Sequence, residues 1–158
     1  MASIRAATEA DVPDVLTLWQ HATTEPSATD DVAGITTLLR HDDDSLLVAI
    51  DNDQLVGAVI ATWDGWRASM YRLAVVPSQR RRGIGRELVA EGERRLREKG
   101  ARRLHLIVAS DQEPARAFWD ASGYRRTDQL RFVKDCRDLN PGPLVPQWPS
   151  GRLRHDTA

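Results

Sequence analysis

The stretch from Leu73 to Leu88, LAVVPSQRRRGIGREL, holds the residue types most able to do chemistry. An apolar run from Tyr71 to Val76 leads into Pro77, a basic turn, and two glycines, Gly83 and Gly85, at the mouth of a helix. The first four N–H groups of a helix lack an intrahelical acceptor, and the helix dipole adds partial positive charge there. Glycines remove the side chains that would keep a ligand off that backbone. Arg80, Arg81, Arg82 and Arg86 add formal charge. The pattern predicts a socket for an anion such as a pyrophosphate.

The elements that position this socket can be read from periodicity. Ile4 to Ala6 forms a short strand, and Thr8 with Asp11 three residues on marks a helix start. Val12, Val15, Leu16, Leu18 and Trp19 make a helical stripe up to His21. Pro26 breaks the chain, and Thr29 or Asp30 caps a second helix to about His41. Strands at 45–50 and 54–63, joined by Asp51-Asn52-Asp53, form a hairpin, and Asp64 to Arg67 turns into a strand at 69–76. Gly83 to Lys99 is a long amphipathic helix stopped by Gly100. A buried strand at 103–108, a helix at 113–122 with Pro114 in its first turn, and a strand at 124–134 complete the order βααβββαβαβ. The fold class expected is α/β (α+β), a mixed central sheet with helices on both faces. The domain is expected over 1–136. The tail over 137–158 holds Pro141, Pro143, Pro146 and Pro149 and reads as irregular or disordered.

Composition narrows the function classes. The chain has 158 residues, a single-domain size, with 41% hydrophobic and 28% charged residues. A net charge of −1 gives no global pull toward nucleic acid or membrane. Cys136 is the only cysteine, so no internal disulfide can form, as in a reducing compartment. The start Met-Ala-Ser-Ile-Arg lacks the apolar core of a signal peptide, and no apolar run approaches the roughly 20 residues of a membrane span. A cytoplasmic protein is expected.

The socket motif within this element order resembles the GNAT superfamily of N-acetyltransferases, over roughly Ile4 to Lys134. Arg80-Arg-Arg-Gly83-Ile-Gly85 matches the family's Arg/Gln-x-x-Gly-x-Gly/Ala signature, and Leu73-Ala-Val-x-Pro77 before it is typical. Gln112-Glu-Pro-Ala115-Arg-Ala-Phe118-Trp119-Asp-Ala-Ser-Gly123-Tyr124 is similar to the family's later signature, Asn-x-x-Ala-x-x-Phe/Leu-Tyr-x-x-x-Gly-Phe. The resemblance implies acetyl-CoA or another acyl-CoA as donor, held between splayed parallel strands. Backbone N–H groups of Arg81, Arg82, Gly83, Gly85 and Arg86 would then hold the pyrophosphate. Leu73 N–H would meet the thioester carbonyl, Val75 would pair with the pantetheine amides, and Gln112 and Trp119 would flank the arm. An N–H aimed at a developing oxyanion and the juxtaposition of amine and thioester are the expected catalytic levers.

Two departures stand out. Gln112 replaces a usual Asn, and Trp119 replaces a usual Tyr whose hydroxyl can protonate the leaving thiolate. Indole N–H is a hydrogen-bond donor only. No glutamate marks a general base on the socket strand, which offers Ser69, Tyr71 and Arg72. Tyr71, sharing strand parity with Ser69 and Leu73, is the catalytic candidate. Glu25, Asp30, Asp31 and Asp64 are the acidic residues near the expected acceptor mouth.

Blander readings compete. Trp19 and Trp63 fit core packing better than an acceptor pocket, and Trp66 fits either. Asp42 to Asp44 reads as a solvated loop rather than a metal site, so no metal is expected. His105 reads as structural and Cys136 as incidental. The expected partner is a small-molecule or peptide amine, with a homodimer open and nucleic acid disfavoured. The expected activity is transfer of acetyl from acetyl-CoA to a primary amine by direct attack in a ternary complex. The alternative is a non-catalytic acyl-CoA-binding module of the same fold.

Overall fold

The computed structural model describes residues 1–22, 27–134 and 136. The chain divides at Tyr124 into two units, Met1–Tyr124 and Arg125–Ala158. The first unit runs β1 (Ser3–Ala6), α1 (Val12–Ala22), α2 (Val32–His41), β2 (Leu46–Asp51), β3 (Gln54–Trp63), β4 (Ala68–Val75), α3 (Ile84–Glu98), β5 (Leu104–Leu106) and α4 (Glu113–Ala121). The sheet order is β1-β2-β3-β4-β5. The first four strands pair antiparallel and β5 joins β4 in parallel.

Helices cover both faces. On one, Leu88, Val89 and Leu96 of α3 and Trp119 of α4 pack on Leu47, Val59 and Met70. On the other, Val15, Leu18 and Trp19 of α1 and Ile35 and Leu39 of α2 pack on Leu46, Val48 and Ala58. Burial on both sides explains why β2 is an unbroken apolar run rather than an alternating one. Asn52 and Asp53 both take positive φ, 49° and 59°, which matches the right-handed twist of the hairpin they close.

Two segments depart from expectation. The strand expected at 103–108 is confined to Leu104–Leu106 and is half-buried, with Ile107 exposed. Residues 125–134 form no strand, and Leu130, Phe132 and Val133 are exposed. Five consecutive polar residues, Arg125 to Gln129, leave too short an apolar alternation for a ladder. The tail over 137–158 lies outside the described residues.

β4 carries an irregularity that matters below. Its pairing with β3 passes from Ala74↔Ala58 to Tyr71↔Ile60, so β4 spends one residue more than β3. Arg72 sits there with φ 55°, the left-handed region. This is a β-bulge, and it reverses the alternation of side chains. Leu73 and Val75 pack with the α3-side cluster, as do Ala68 and Met70. Ser69 and Tyr71 therefore face the α1–α2 side. The expectation that Tyr71 shares parity with Leu73 is corrected: the extra residue puts the two on opposite faces.

Candidate active site at the open edge of β4

β4 and β5 pair only from Ala68↔Leu104 to Met70↔Leu106. Beyond Met70 the edge of β4 has no β5 partner. Val76 donates its N–H to the Val56 carbonyl at 2.9 Å, on the β3 side. Alternation then turns the N–H groups of Val75 and Leu73 toward the open edge. The Val75 carbonyl, on that same edge, accepts a hydrogen bond from Arg80 Nε at 3.1 Å. The pairing expected of Val75 with an amide chain is thus left to its N–H, because Arg80 already holds its oxygen.

At the end of this edge the chain turns through Pro77 into α3. Gly83 is the N-cap of α3 with φ 90°. Arg81 also takes positive φ, 63°. Glu87 N–H donates to the Gly83 carbonyl at 3.0 Å. Among the described residues, the N–H groups of Arg81, Arg82, Gly83, Ile84, Gly85 and Arg86 meet no acceptor. A Cβ on Gly85 would stand 3.4 Å from Phe118 Cε2 and 3.8 Å from Val75 Cγ2. Arg82 turns back to Gln79 and to Asp51, with Nη1 3.5 Å from Asp51 Oδ2. These are the features of an anion cradle: unbonded donors, a helix N-terminus, and a backbone bare of side chains at Gly83 and Gly85.

Trp119 is buried, its ring edge-on to Phe118 at 5.2 Å and to Tyr124 at 4.9 Å. The Tyr124 hydroxyl donates to Glu93 Oε1 at 2.8 Å. Burial first, and then that bond, push the Tyr124 phenol above its ordinary range. Gln112 stands at the N-cap position of α4, its carbonyl accepting from Arg116 N–H at 3.0 Å.

Two surface clefts flank the sheet. The larger, about 350 Å³, lies against Ala6 to Glu9 and Leu39, Arg40 and Asp43, and meets none of the motif residues. The smaller, about 210 Å³, is bounded by Leu38 and His41 of α2, Asp64, Arg67, Ser69 and Tyr71. It lies on the opposite face of the bulge from Leu73. Of the acidic residues expected at an acceptor mouth, only Asp64 lines it. The Asp64 carboxylate accepts N–H bonds from Trp66 at 2.8 Å and Arg67 at 2.6 Å. Those bonds, Arg67's first, hold its carboxyl below the ordinary range. Asp31 caps α2 by accepting from Gly34 N–H at 2.7 Å. Asp30 is paired with Arg72. Glu25 lies outside the described residues.

The remaining candidates take structural places. Trp19 is buried under β4, Trp63 is half-buried, and Trp66 is exposed with Arg67 stacked 4.2 Å from its ring centre. Lys99 Nζ lies 2.8 Å from both Asp42 oxygens and also pairs with Asp44, so an ammonium already sits within that acidic loop. Cys136 is exposed. No helix among the described residues is long and apolar enough to cross a membrane.

The sequence and fold that carry this edge are matched by known proteins. The model of the Acetyltransferase (GNAT) family aligns with residues 12–124. The chain belongs to the GNAT acetyltransferase family. An acetyltransferase of Pectobacterium atrosepticum is 34% identical over 131 residues, 83% of this chain and 93% of that one. Ard1 from Thermoplasma volcanium shares the fold with a TM-score of 0.73 and 25% identity, over 80% of this chain and 84% of that one. AAC(6′)-Iy, solved with the bisubstrate analogue CoA-S-monomethyl-acetylneamine, matches with a TM-score of 0.70 at 20% identity, over 85% of this chain and 98% of that one. The mixed five-stranded sheet with helices on both faces is the GNAT fold, and the enzyme class is acetyltransferase. The family's donor is an acyl-CoA.

Proposed function

We propose that this protein transfers an acetyl group from acetyl-CoA to a primary amine by direct attack within a ternary complex. The observation that carries the proposal is the run of six unbonded N–H groups at the start of α3, continuous with the open edge of β4. Their number fits a pyrophosphate, and the bare Gly85 fits its close approach. When bound, acetyl-CoA supplies a thioester carbonyl that the amine attacks, with the thiolate leaving.

The chain's own residues divide the work. Arg81, Arg82, Gly83, Gly85 and Arg86 bind the pyrophosphate through their main chain. Arg80 stays on the Val75 carbonyl and leaves the Val75 N–H to the pantetheine arm. Leu73 N–H, on the same open edge, donates to the carbonyl oxygen as charge develops on it, a stabilisation of the transition state above the ground state. The amine arrives from the cleft of Ser69 and Tyr71. Tyr71, half its side chain in solvent, passes the amine's proton to water. Trp119 has no proton to give, and a thiol with an ordinary pKa of about 8.5 leaves without an acid at moderate cost. Gln112 and Trp119 complete the wall of the arm's channel.

The test is release of free thiol from acetyl-CoA in the presence of an amine panel: polyamines, amino acids, aminoglycosides, and peptides with free N-termini or lysines. Amine-dependent release is expected with at least one class. Tight CoA binding without release for any class supports the non-catalytic binding module instead.

A further inference from the structure

Arg72 occupies the β4 bulge at φ 55°, a conformation that is strained for a residue with a Cβ. Something must hold it there. Its Nε donates to Asp30 Oδ1 at 3.1 Å, and its Nη2 pairs with Oδ2, a two-pronged contact between residues 42 apart in sequence. The Trp19 ring centre lies 5.3 Å from the guanidinium carbon. Both side chains are largely out of water, 18% exposed for Arg72 and 11% for Asp30. Asp30 is itself fixed, its Oδ2 accepting from Ser27 N–H at 2.6 Å, and the next residue, Asp31, caps α2. An ion pair withdrawn from water adds little net stability and is better explained by the geometry it imposes. A planar guanidinium gripping both carboxylate oxygens imposes orientation as well as distance.

We propose that the Arg72–Asp30 pair positions the main chain for catalysis: it holds the bulge that turns Leu73 N–H to the open edge, and it ties that bulge to the segment leading into α2. Arg72 is a positioning residue. It faces away from the thioester and acts through the next peptide in the chain. The segment ahead of α2 leads into the helix that supplies Leu38 and His41 to the acceptor cleft, so one contact relates that cleft to the oxyanion donor. Asp30 is thereby committed to Arg72 and is not the general base. The inference rests on the assignment of Leu73 made under the proposed function.

The experiment follows the Leu73 amide by ¹⁵N NMR, with CoA and then acetyl-CoA as probes. The difference between the two spectra reports the acyl carbonyl alone. In the wild type, Leu73 is expected to shift with acetyl-CoA beyond its response to CoA. Arg72→Gly accepts the positive φ without strain, so any loss there comes from the missing grip rather than the backbone. Asp30→Asn keeps the arginine and removes the charge. In both variants the acetyl-specific shift is expected to vanish while CoA affinity stays near wild type; the melting temperature falls, because one partner is left unpaired out of water. Turnover should fall on the order of 10²-fold with the KM for acetyl-CoA little changed, the usual effect of a roughly 1 Å misplacement. Arg72→Lys should restore part of both. Persistence of the acetyl-specific shift in Arg72→Gly and Asp30→Asn overturns the inference. So does a parallel fall of CoA affinity and melting temperature, which would mark the pair as ordinary framework. A wild-type Leu73 amide indifferent to the acetyl group would instead remove the oxyanion assignment, and this inference with it.

Discussion

The Phe118 ring lies 3.4 Å from the point where a Cβ on Gly85 would stand. α4 thus leaves room at the first turn of α3 for a Cβ only at van der Waals contact, at a position where the proposed cradle needs bare backbone. A side chain at 85 has two directions to go, into Phe118 or into the anion's space. Gly85→Val is expected to weaken CoA binding by at least about tenfold, the scale of a lost charge-assisted contact or two. Gly83→Val, at φ 90°, is expected to do the same through backbone strain. Calorimetry with CoA decides it, and unchanged affinity in both variants removes the cradle assignment.

Trp119 packs edge-on between Phe118 and Tyr124 and is buried; under the proposed function it is a wall of the arm's channel rather than a proton donor. Trp119→Phe keeps an aromatic wall at a cost of about 1–3 kcal/mol for the space left behind. Turnover per folded molecule should be mostly retained. Trp119→Tyr should raise it modestly if thiolate protonation limits the rate, since general-acid catalysis is worth about 10²-fold at full effect. Thiol-release kinetics alongside acetyl-CoA affinity make the comparison. Abolished turnover in the Phe variant with intact affinity would give the indole a chemical part and contradict its assignment.

Arg5 grips Asp11 with two hydrogen bonds of 2.8 Å, and the Asp11 carboxylate also accepts from Thr8 N–H at 2.7 Å. The arginine, more than any other contact, lowers the Asp11 carboxyl from 3.8 to about 2. A folded value below the unfolded one stabilises the protein above the unfolded pKa, and the contribution disappears as pH falls from about 4 to 2. Arg5 is partly in solvent, which reduces the contribution to the order of 1 kcal/mol. Asp11→Asn should therefore lower the melting temperature at pH 7 and match wild type near pH 2. A constant gap between the two curves across that range would contradict the linkage.

Every strand, helix and site residue named above lies within Met1–Tyr124. A chain stopped after Asp138 should fold and bind CoA as the full chain does. Melting curves and calorimetry on the shortened chain test this. A drop of more than about 4 °C, the mark of roughly 1 kcal/mol in a chain of this size, would show that the proline-rich tail contributes to the fold.

The local patterns were legible without a structure. Gly83 and Gly85 at the start of an amphipathic run, Asn52-Asp53 between two apolar strands, and the unbroken LLVAI of β2 each reflect constraints acting within a few residues: φ, hydrogen-bond period and burial. The family followed from two such patterns in order. What depended on distant partners was not legible. Parity along β4 reverses at Arg72 because Val59 lies opposite two residues rather than one, and no spacing within β4 announces that. Asp30 looks like a free acid at an acceptor mouth until the fold brings Arg72 to it across 42 residues. Arg80 belongs to a basic triplet in the sequence, yet in three dimensions it closes the Val75 carbonyl. Strand 103–108 shortens to three residues because an edge strand extends only as far as its neighbour pairs, and β4 diverges after Met70. The sequence by itself determined most of the elements and the pattern behind the proposed anion cradle, through short-range sterics and periodicity. Tertiary structure decided which polar groups remain open to a ligand, because a donor or acceptor is spent or left open by whatever the rest of the chain places beside it.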